Sequence, residues 1–200
     1  MAQRRAAPGA GSGDRRKTIV YASFGILAVL LIVAVAYASH MPKIASVAPT
    51  SAQLTVGQAA PQFALPTTEG VFDLSQAAGK PVLLEVFATW CPHCQRETAT
   101  LNAIYDAYKD KVHIVAVSGS QYGVDGSTPE SQADVVAFIQ KYNVRYPVAY
   151  DPTLDVGNKY LQGGFPTIVL IGKDGKVLKF RDGEIPRAEI EKDLDAALKG

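Results

Sequence analysis

The chain's only two cysteines stand three positions apart, where a strand gives way to a helix. Few folds accommodate that junction. Val82 to Ala88 is almost continuously apolar, as a central strand covered on both faces would be. Pro92 to Tyr108 reads as a helix, because Leu101, Ile104, Tyr105 and Tyr108 recur at i, i+3, i+4 and i+7 and make one apolar stripe. Residues i and i+3 share a helix face, so the sulfurs of Cys91 and Cys94 can meet in disulfide geometry. Cys91 falls at the helix N-terminus, with Pro92 as the first helical residue. The unpaired N–H groups and the dipole there favour an anion, so the Cys91 thiolate is favoured. Cys94 lies a turn further in and is more shielded. Cys91 is therefore expected to attack a partner disulfide and Cys94 to resolve the mixed disulfide. Two other readings are open. A structural disulfide across three residues closes a tiny loop and constrains the unfolded chain little. Half a metal site is short of ligands, since His93 adjoins the pair rather than repeating it at a distance. The redox reading is preferred, with a redox-active disulfide in place of a cofactor and no metal.

The remainder of the body alternates short strands and helices. Phe63-Ala64-Leu65 and Val71-Phe72 flank Glu69-Gly70 and suggest a hairpin. Val112 to Val117 is a second buried strand. Thr128-Pro129 reads as a helix start, with Thr at the N-cap and Pro at the first helical position. Val135, Phe138, Ile139 and Tyr142 give that helix its apolar face. Thr167 to Ile171 and Lys176 to Phe180 are strands joined through Lys173-Asp174-Gly175. Pro186 opens a last helix with Ile190, Leu194, Ala197 and Leu198 facing inward. This is a layered α/β domain with a partly antiparallel, mixed sheet. Gly119 to Thr128 is a long polar loop beside it.

Upstream the composition changes. Ile19 to Ala38 carries no charge, and twenty helical residues span about 30 Å, the thickness of a bilayer core. Arg15, Arg16 and Lys17 precede the run, which keeps the N-terminus cytoplasmic and exports the chain beyond Ala38. Residues 1–17 then form a cytoplasmic basic tail, 18–39 a transmembrane signal-anchor helix in the cell membrane, 40–55 a linker and 56–200 the catalytic domain. Ala36-Tyr37-Ala38 leaves a cleaved signal open, although the apolar run is long for one. No cysteine precedes Cys91, so a lipoprotein is excluded. Of the 20 Lys and Arg and 19 Asp and Glu, residues 1–40 hold five and one, leaving the body mildly acidic. That balance predicts no nucleic-acid partner. The exported location suits a redox dithiol, because disulfides persist there.

Trp90-Cys91-Pro92-His93-Cys94 resembles a thioredoxin-fold active site. The wider context resembles the TlpA-like (ResA/TlpA) branch of membrane-anchored thiol–disulfide oxidoreductases. It runs from Gly57 and Pro61-Gln62-Phe63-Ala64-Leu65 through Gly79-Lys80-Pro81 and Ala88-Thr89-Trp90-Cys91 to Gly164-Phe165-Pro166-Thr167 and Lys173-Asp174-Gly175-Lys176. The resemblance covers about residues 56–200. It implies a thioredoxin fold, a central mixed β-sheet flanked by helices, with an N-terminal β-hairpin extension. It implies a cis Pro166 that turns the Phe165 backbone toward Cys91, where it would pair with a substrate strand, and it places Trp90 and Pro92 at the same rim. Glu85, the only charge in its strand and six residues before Cys91, matches the buried acid that takes a proton from the second thiol. A strand-end glutamate reaching water is the plainer alternative. Glu97, three after Cys94, matches an active-site glutamate of the branch or is a solvated first-turn acid.

The implied partners are thiols or disulfides of exported proteins, apocytochrome c among them, with a membrane electron-transfer partner and the bilayer itself. The expected activity is reduction. His93 departs from the reductase pattern, which has proline there. Cys-Pro-His-Cys is similar to the motif of strongly oxidising thiol oxidases, in which the histidine stabilises the Cys91 thiolate through charge or N–H donation. A disulfide-forming oxidant is therefore the chief alternative. A peroxiredoxin-like peroxidase is weaker, because Thr89 stands two rather than three residues before Cys91 and position 88 is alanine. A metal-binding module using Cys91 and Cys94 as ligands is the non-enzyme alternative. His113 reads as structural, and His40 is juxtamembrane.

Overall fold

The computed structural model describes residues 54–200. The basic tail, the apolar run, His40 and all but the end of the linker lie outside them. Among the described residues no helix is long and apolar enough to cross a membrane.

In chain order the elements are β1 (Ala64–Thr67), β2 (Gly70–Asp73), a short 3-10 turn (Leu74–Gln76), β3 (Val82–Phe87), α1 (Pro92–Tyr108), β4 (His113–Ser118), α2 (Gln132–Tyr142), β5 (Val148–Tyr150), α3 (Asp155–Tyr160), β6 (Thr167–Ile171), β7 (Val177–Asp182) and α4 (Arg187–Lys199). They form one seven-stranded sheet in the order β2-β1-β5-β4-β3-β6-β7. β3, β4 and β5 run parallel, while β6, β7, β1 and β2 add antiparallel partners at the two sides. This is the mixed thioredoxin-type sheet the sequence predicts. The hairpin turns at Gly70, whose φ of 110° suits glycine, and β1 joins the sheet through β5.

β3 sits centrally and every residue in it is buried. Side chains alternate between sheet faces along a strand. Leu83 and Phe87 enter one core with Leu101 and Ile104 of α1, Phe138 of α2 and Leu194 of α4. Val82, Leu84 and Val86 enter another, with Val156 and Tyr160 of α3 and Phe63 and Leu74 from the N-terminal side. Glu85 shares the parity of Leu83 and Phe87, so it points beneath the helical layer that carries the cysteines. Its neighbour in β4 is the small Ala116.

α1 spans the range the sequence predicts, with Cys91 at its N-cap and Pro92 first in the helix. Leu101 and Ile104 are fully buried. Tyr105 and Tyr108 are only half-buried: their rings meet the core while their hydroxyls donate outward to Glu69 and Asp195. α2 does not start at Thr128-Pro129. It starts three residues later, at a capping box in which the Ser131 side chain accepts from the Asp134 N–H and the Asp134 carboxylate accepts from the Ser131 N–H. The Thr128 hydroxyl and N–H are spent on Asp125, and Pro129 lies in a bridge with Tyr122. Pro186 caps α4 rather than entering it.

Two elements have no counterpart in the sequence reading, β5 and α3. The N-cap of α3, Leu154, offers no side-chain bond. The buried Asp151 carboxylate instead accepts from the N–H groups of Asp155, Val156 and Gly157. Gly119 and Gly157 let α3 close on the sheet. A Cβ on Gly157 would lie 2.9 Å from the Gly119 carbonyl oxygen, and one on Gly119 would lie 2.8 Å from Val86.

Candidate active site

The β3–α1 junction delivers both cysteines to the C-terminal edge of the sheet. Both are free thiols and both are buried, Cys94 completely. The Cys91 sulfur lies 3.5 Å from the Cys94 backbone nitrogen, which donates to it, and 3.5 Å from the Phe165 carbonyl oxygen. The Phe165–Pro166 peptide bond is cis, as the resemblance implies, and the Phe165 backbone does face Cys91. Trp90 stands on the rim, 37% exposed, its ring edge-on to Phe165 at 5.9 Å. Its Nε1 donates to Ser120, which joins the polar loop 119–128 to the site.

Behind the dithiol lie two buried carboxyls. Glu85 is 4% exposed and Glu97 2%, so neither is a solvated acid. One oxygen of Glu85 accepts from the Tyr146 hydroxyl at 3.3 Å, and one of Glu97 accepts from the Ile185 N–H at 3.2 Å. The second oxygen of each is buried without a partner. Burial disfavours the charged form. Together with the nearby Glu97 charge it pushes Glu85 up to about 8, against the Tyr146 bond. Glu97 is pushed up to about 7, again chiefly by burial, with its Ile185 bond opposing. Burial and then the Glu85 charge push the Cys94 thiol well above the usual thiol range. A proton on either carboxyl is thus exchangeable near neutral pH, beside a thiol that must lose one to react.

In front of the dithiol His93 is exposed. Its Nδ1 lies 2.7 Å from Glu184, on the loop between β7 and α4, and Arg96 pairs with the same carboxylate. His93, Glu184, Phe165 and Gly163-Gly164 border a groove of about 620 Å³ beside Cys91. His113 begins β4, with its ring against Phe72.

Several residues here escape a sequence reading. Glu130, just before the α2 cap, is buried, and its carboxylate accepts from the hydroxyls of Thr89 (3.0 Å) and Ser118 (2.7 Å). The Thr89 hydroxyl is therefore directed to Glu130. Gln95 donates to the Thr89 carbonyl, which closes the active-site turn from the other side. Tyr146, Arg96 and Glu184 reach the site from distant positions. Only the lone acid in the Ser-Thr-Pro-Glu-Ser stretch offered a local hint of Glu130.

A helix-capping cysteine, a buried partner thiol, a buried acid beneath them and a cis-proline loop opposite define a thioredoxin-fold dithiol oxidoreductase. Residues 55–198 match the Redoxin family, and the chain belongs to it. It is 33% identical over 141 residues to the thiol-disulfide oxidoreductase ResA of Bacillus cereus, covering 70% of this chain and 76% of that one. Among solved structures it resembles a protein from Chlorobium tepidum described as a thiol:disulfide interchange protein DsbE. That match has a TM-score of 0.62 and 31% identity over 72% of this chain and 99% of that one. A Bacteroides thetaiotaomicron protein described as a disulfide isomerase aligns with a TM-score of 0.65 and 27% identity, covering 74% and 92%. The protein is a thiol–disulfide oxidoreductase acting on protein thiols or disulfides.

Proposed function

We propose that the enzyme is tethered to the cell membrane and works outside the cytoplasm, reducing disulfides of exported proteins through Cys91 and Cys94. The Cys91 thiolate attacks a target disulfide; one target sulfur leaves as a thiolate and a mixed disulfide forms. Cys94 passes its proton to Glu85 or Glu97 and attacks the Cys91 sulfur. The second target sulfur leaves, and the enzyme keeps the Cys91–Cys94 disulfide. Two electrons have then passed to the target, and a membrane electron-transfer partner must return them. The groove beside Phe165 would seat the target chain, with Trp90, Pro92 and Pro166 around it, and apocytochrome c cysteines are among the fitting targets. The uncharged run Ile19 to Ala38 behind Arg15-Arg16-Lys17 supports the tether and its orientation.

The observation that carries this reading is the asymmetry of the two sulfurs. Cys91 caps a helix beside a backbone carbonyl, and Cys94 is completely buried near two buried carboxyls that each keep one oxygen without a partner. Two features of the same place support the reductive direction. An oxidising dithiol is one whose reduced form is stabilised. Here burial holds Cys94 as a neutral thiol, and the Nδ1 of His93 is bonded to Glu184 rather than to sulfur.

The test uses the full chain and a peptide disulfide. Cys91→Ser should abolish exchange, and Cys94→Ser should stall as a mixed disulfide on Cys91. Exchange retained by Cys91→Ser would sink the assignment. A reduction potential near thioredoxin's, about −270 mV, supports the reductase, and one near about −120 mV supports the disulfide-forming alternative.

A further inference from the structure

Three side chains outside the dithiol pocket converge beside it. His93 lies in the first turn of α1, with its side chain 59% exposed, and Arg96 follows one turn on, along the same strip of helix. Glu184 arrives from the far end of the chain. A single oxygen of Glu184 meets Arg96 Nη2 at 2.5 Å, Arg96 Nε at 3.0 Å and His93 Nδ1 at 2.7 Å. Arg96 Nη2 is also 2.9 Å from His93 Nδ1. One ring nitrogen cannot donate to the carboxylate and accept from the guanidinium together, so the ring has two settings. Either Nδ1–H donates to Glu184 or a bare Nδ1 accepts from Arg96. Glu184 holds the ring directly in the first setting and through Arg96, its own partner, in the second, while the Cys91 sulfur bonds Cys94 N–H and the Phe165 carbonyl.

The charges explain why this matters to a sulfur that the cluster does not touch. The Arg96 charge and a Cys91 thiolate favour one another, and a protonated His93 would add to that field. Glu184 opposes both. Its bonds to Arg96 and then His93 hold its carboxyl down at about 2, so it stays charged at any working pH. A positive field at Cys91 stabilises the thiolate, and with it the reduced form, which makes a pair more oxidising.

We propose that Glu184 is a positioning residue that clamps His93 by Nδ1 and restrains the oxidising tendency of a Cys-Pro-His-Cys pair. The inference rests on the dithiol-exchange reading above. It gives that reading a device for setting the direction of electron flow, supplied by a loop some ninety positions from the motif.

The measurement is the equilibrium in which the dithiol and glutathione disulfide give the Cys91–Cys94 disulfide and two glutathione thiols, two electrons passing from protein to glutathione. The full chain, Glu184→Gln and Glu184→Ala are compared in graded glutathione buffers, each also in a His93→Ala background. Both substitutions at 184 should shift the equilibrium toward the dithiol by about three- to tenfold, the upper figure corresponding to about 30 mV. In the His93→Ala background the shift should shrink to less than half. An unchanged potential, or a shift toward the disulfide, overturns the inference. A shift of full size without His93 also overturns it, because Glu184 would then act without the ring. An unmodified pair that never titrates reversibly overturns the exchange reading itself. Reversible titration with an indifferent Glu184 overturns this inference alone.

Discussion

Glu85 and Glu97 lie behind the dithiol and Glu184 lies in front of it, and the same carboxyl group behaves oppositely in the two places. Behind, each acid has one bonded oxygen and one buried without a partner, and burial pushes them to about 8 and about 7. In front, Glu184 is exposed and held by an arginine and a histidine, which bring it to about 2. The inner pair can give and take protons near neutral pH. The outer acid can only supply a fixed charge. Chemistry and tuning are thereby divided between two walls of one helix N-terminus, and the division follows from solvent access and partner supply.

The largest effect should come from removing the charge behind the dithiol. The folded protein keeps a proton on Glu85 up to about 8, whereas the unfolded chain releases it near 4.5. The unfolded state therefore binds fewer protons between those values, and stability falls as the pH rises through that window. Below 4.5 the group contributes no penalty, and above 8 the loss is complete. At about 1.4 kcal/mol per unit the loss approaches roughly 5 kcal/mol. Reduced Glu85→Gln should therefore fall below the parent near pH 4.5 by about 1–3 kcal/mol, the cost of the amide's own unpaired atoms, and exceed it by roughly 2–4 kcal/mol at pH 9. Denaturant melts at the two pH values measure this. The same variant should resolve the mixed disulfide about 10²-fold more slowly, the usual contribution of a positioned base. A stability difference that ignores pH would break the contrast between the walls.

Much of this architecture was legible. β3, the turn and α1 follow from an apolar run, a helix-start proline and a 3.6-residue period, all local signals. β5 has three residues after a proline, too few to show a period. α3 has six residues, a glycine among them, and its cap is Asp151, which lies outside the helix. At the start of α2 two signals compete, and tertiary contacts choose the Ser131 box over Thr128-Pro129. Within the site the motif residues were readable because they adjoin in sequence. Glu184 is 88 positions from Arg96, and Tyr146 is 61 from Glu85, so no spacing rule connects them.

The second test separates the two inner acids. Resolution of the mixed disulfide should speed up in two steps near pH 7 and 8, which belong to the coupled pair rather than to either acid. Glu97→Gln can keep the Ile185 bond through its amide oxygen while losing the charge. One step should then remain, displaced below 8, because the Glu97 charge is among the causes that raise Glu85. Stopped-flow rates across pH 5–10 read both features. Two persistent steps would mean that Glu97 is not the second titrating group.

Glu130 offers the smallest and sharpest test, because it is buried like the inner pair but fully partnered. Both its oxygens accept hydroxyl donors, from Thr89 and Ser118. Burial raises it while those two bonds oppose the rise. If missing partners rather than burial alone place Glu85 and Glu97 near neutrality, Glu130→Gln should behave unlike Glu85→Gln. Glutamine leaves one acceptor, and the other hydroxyl must turn to accept from the amide. Both charge-assisted bonds become neutral ones, at a cost of about 1–2 kcal/mol. Thermal melts should show a drop of a few degrees at pH 7, with no gain over the parent at pH 9. A variant that instead becomes more stable than the parent at alkaline pH would show that burial alone governs all three acids. The unpaired oxygens behind the dithiol would then lose their claim to set the proton chemistry.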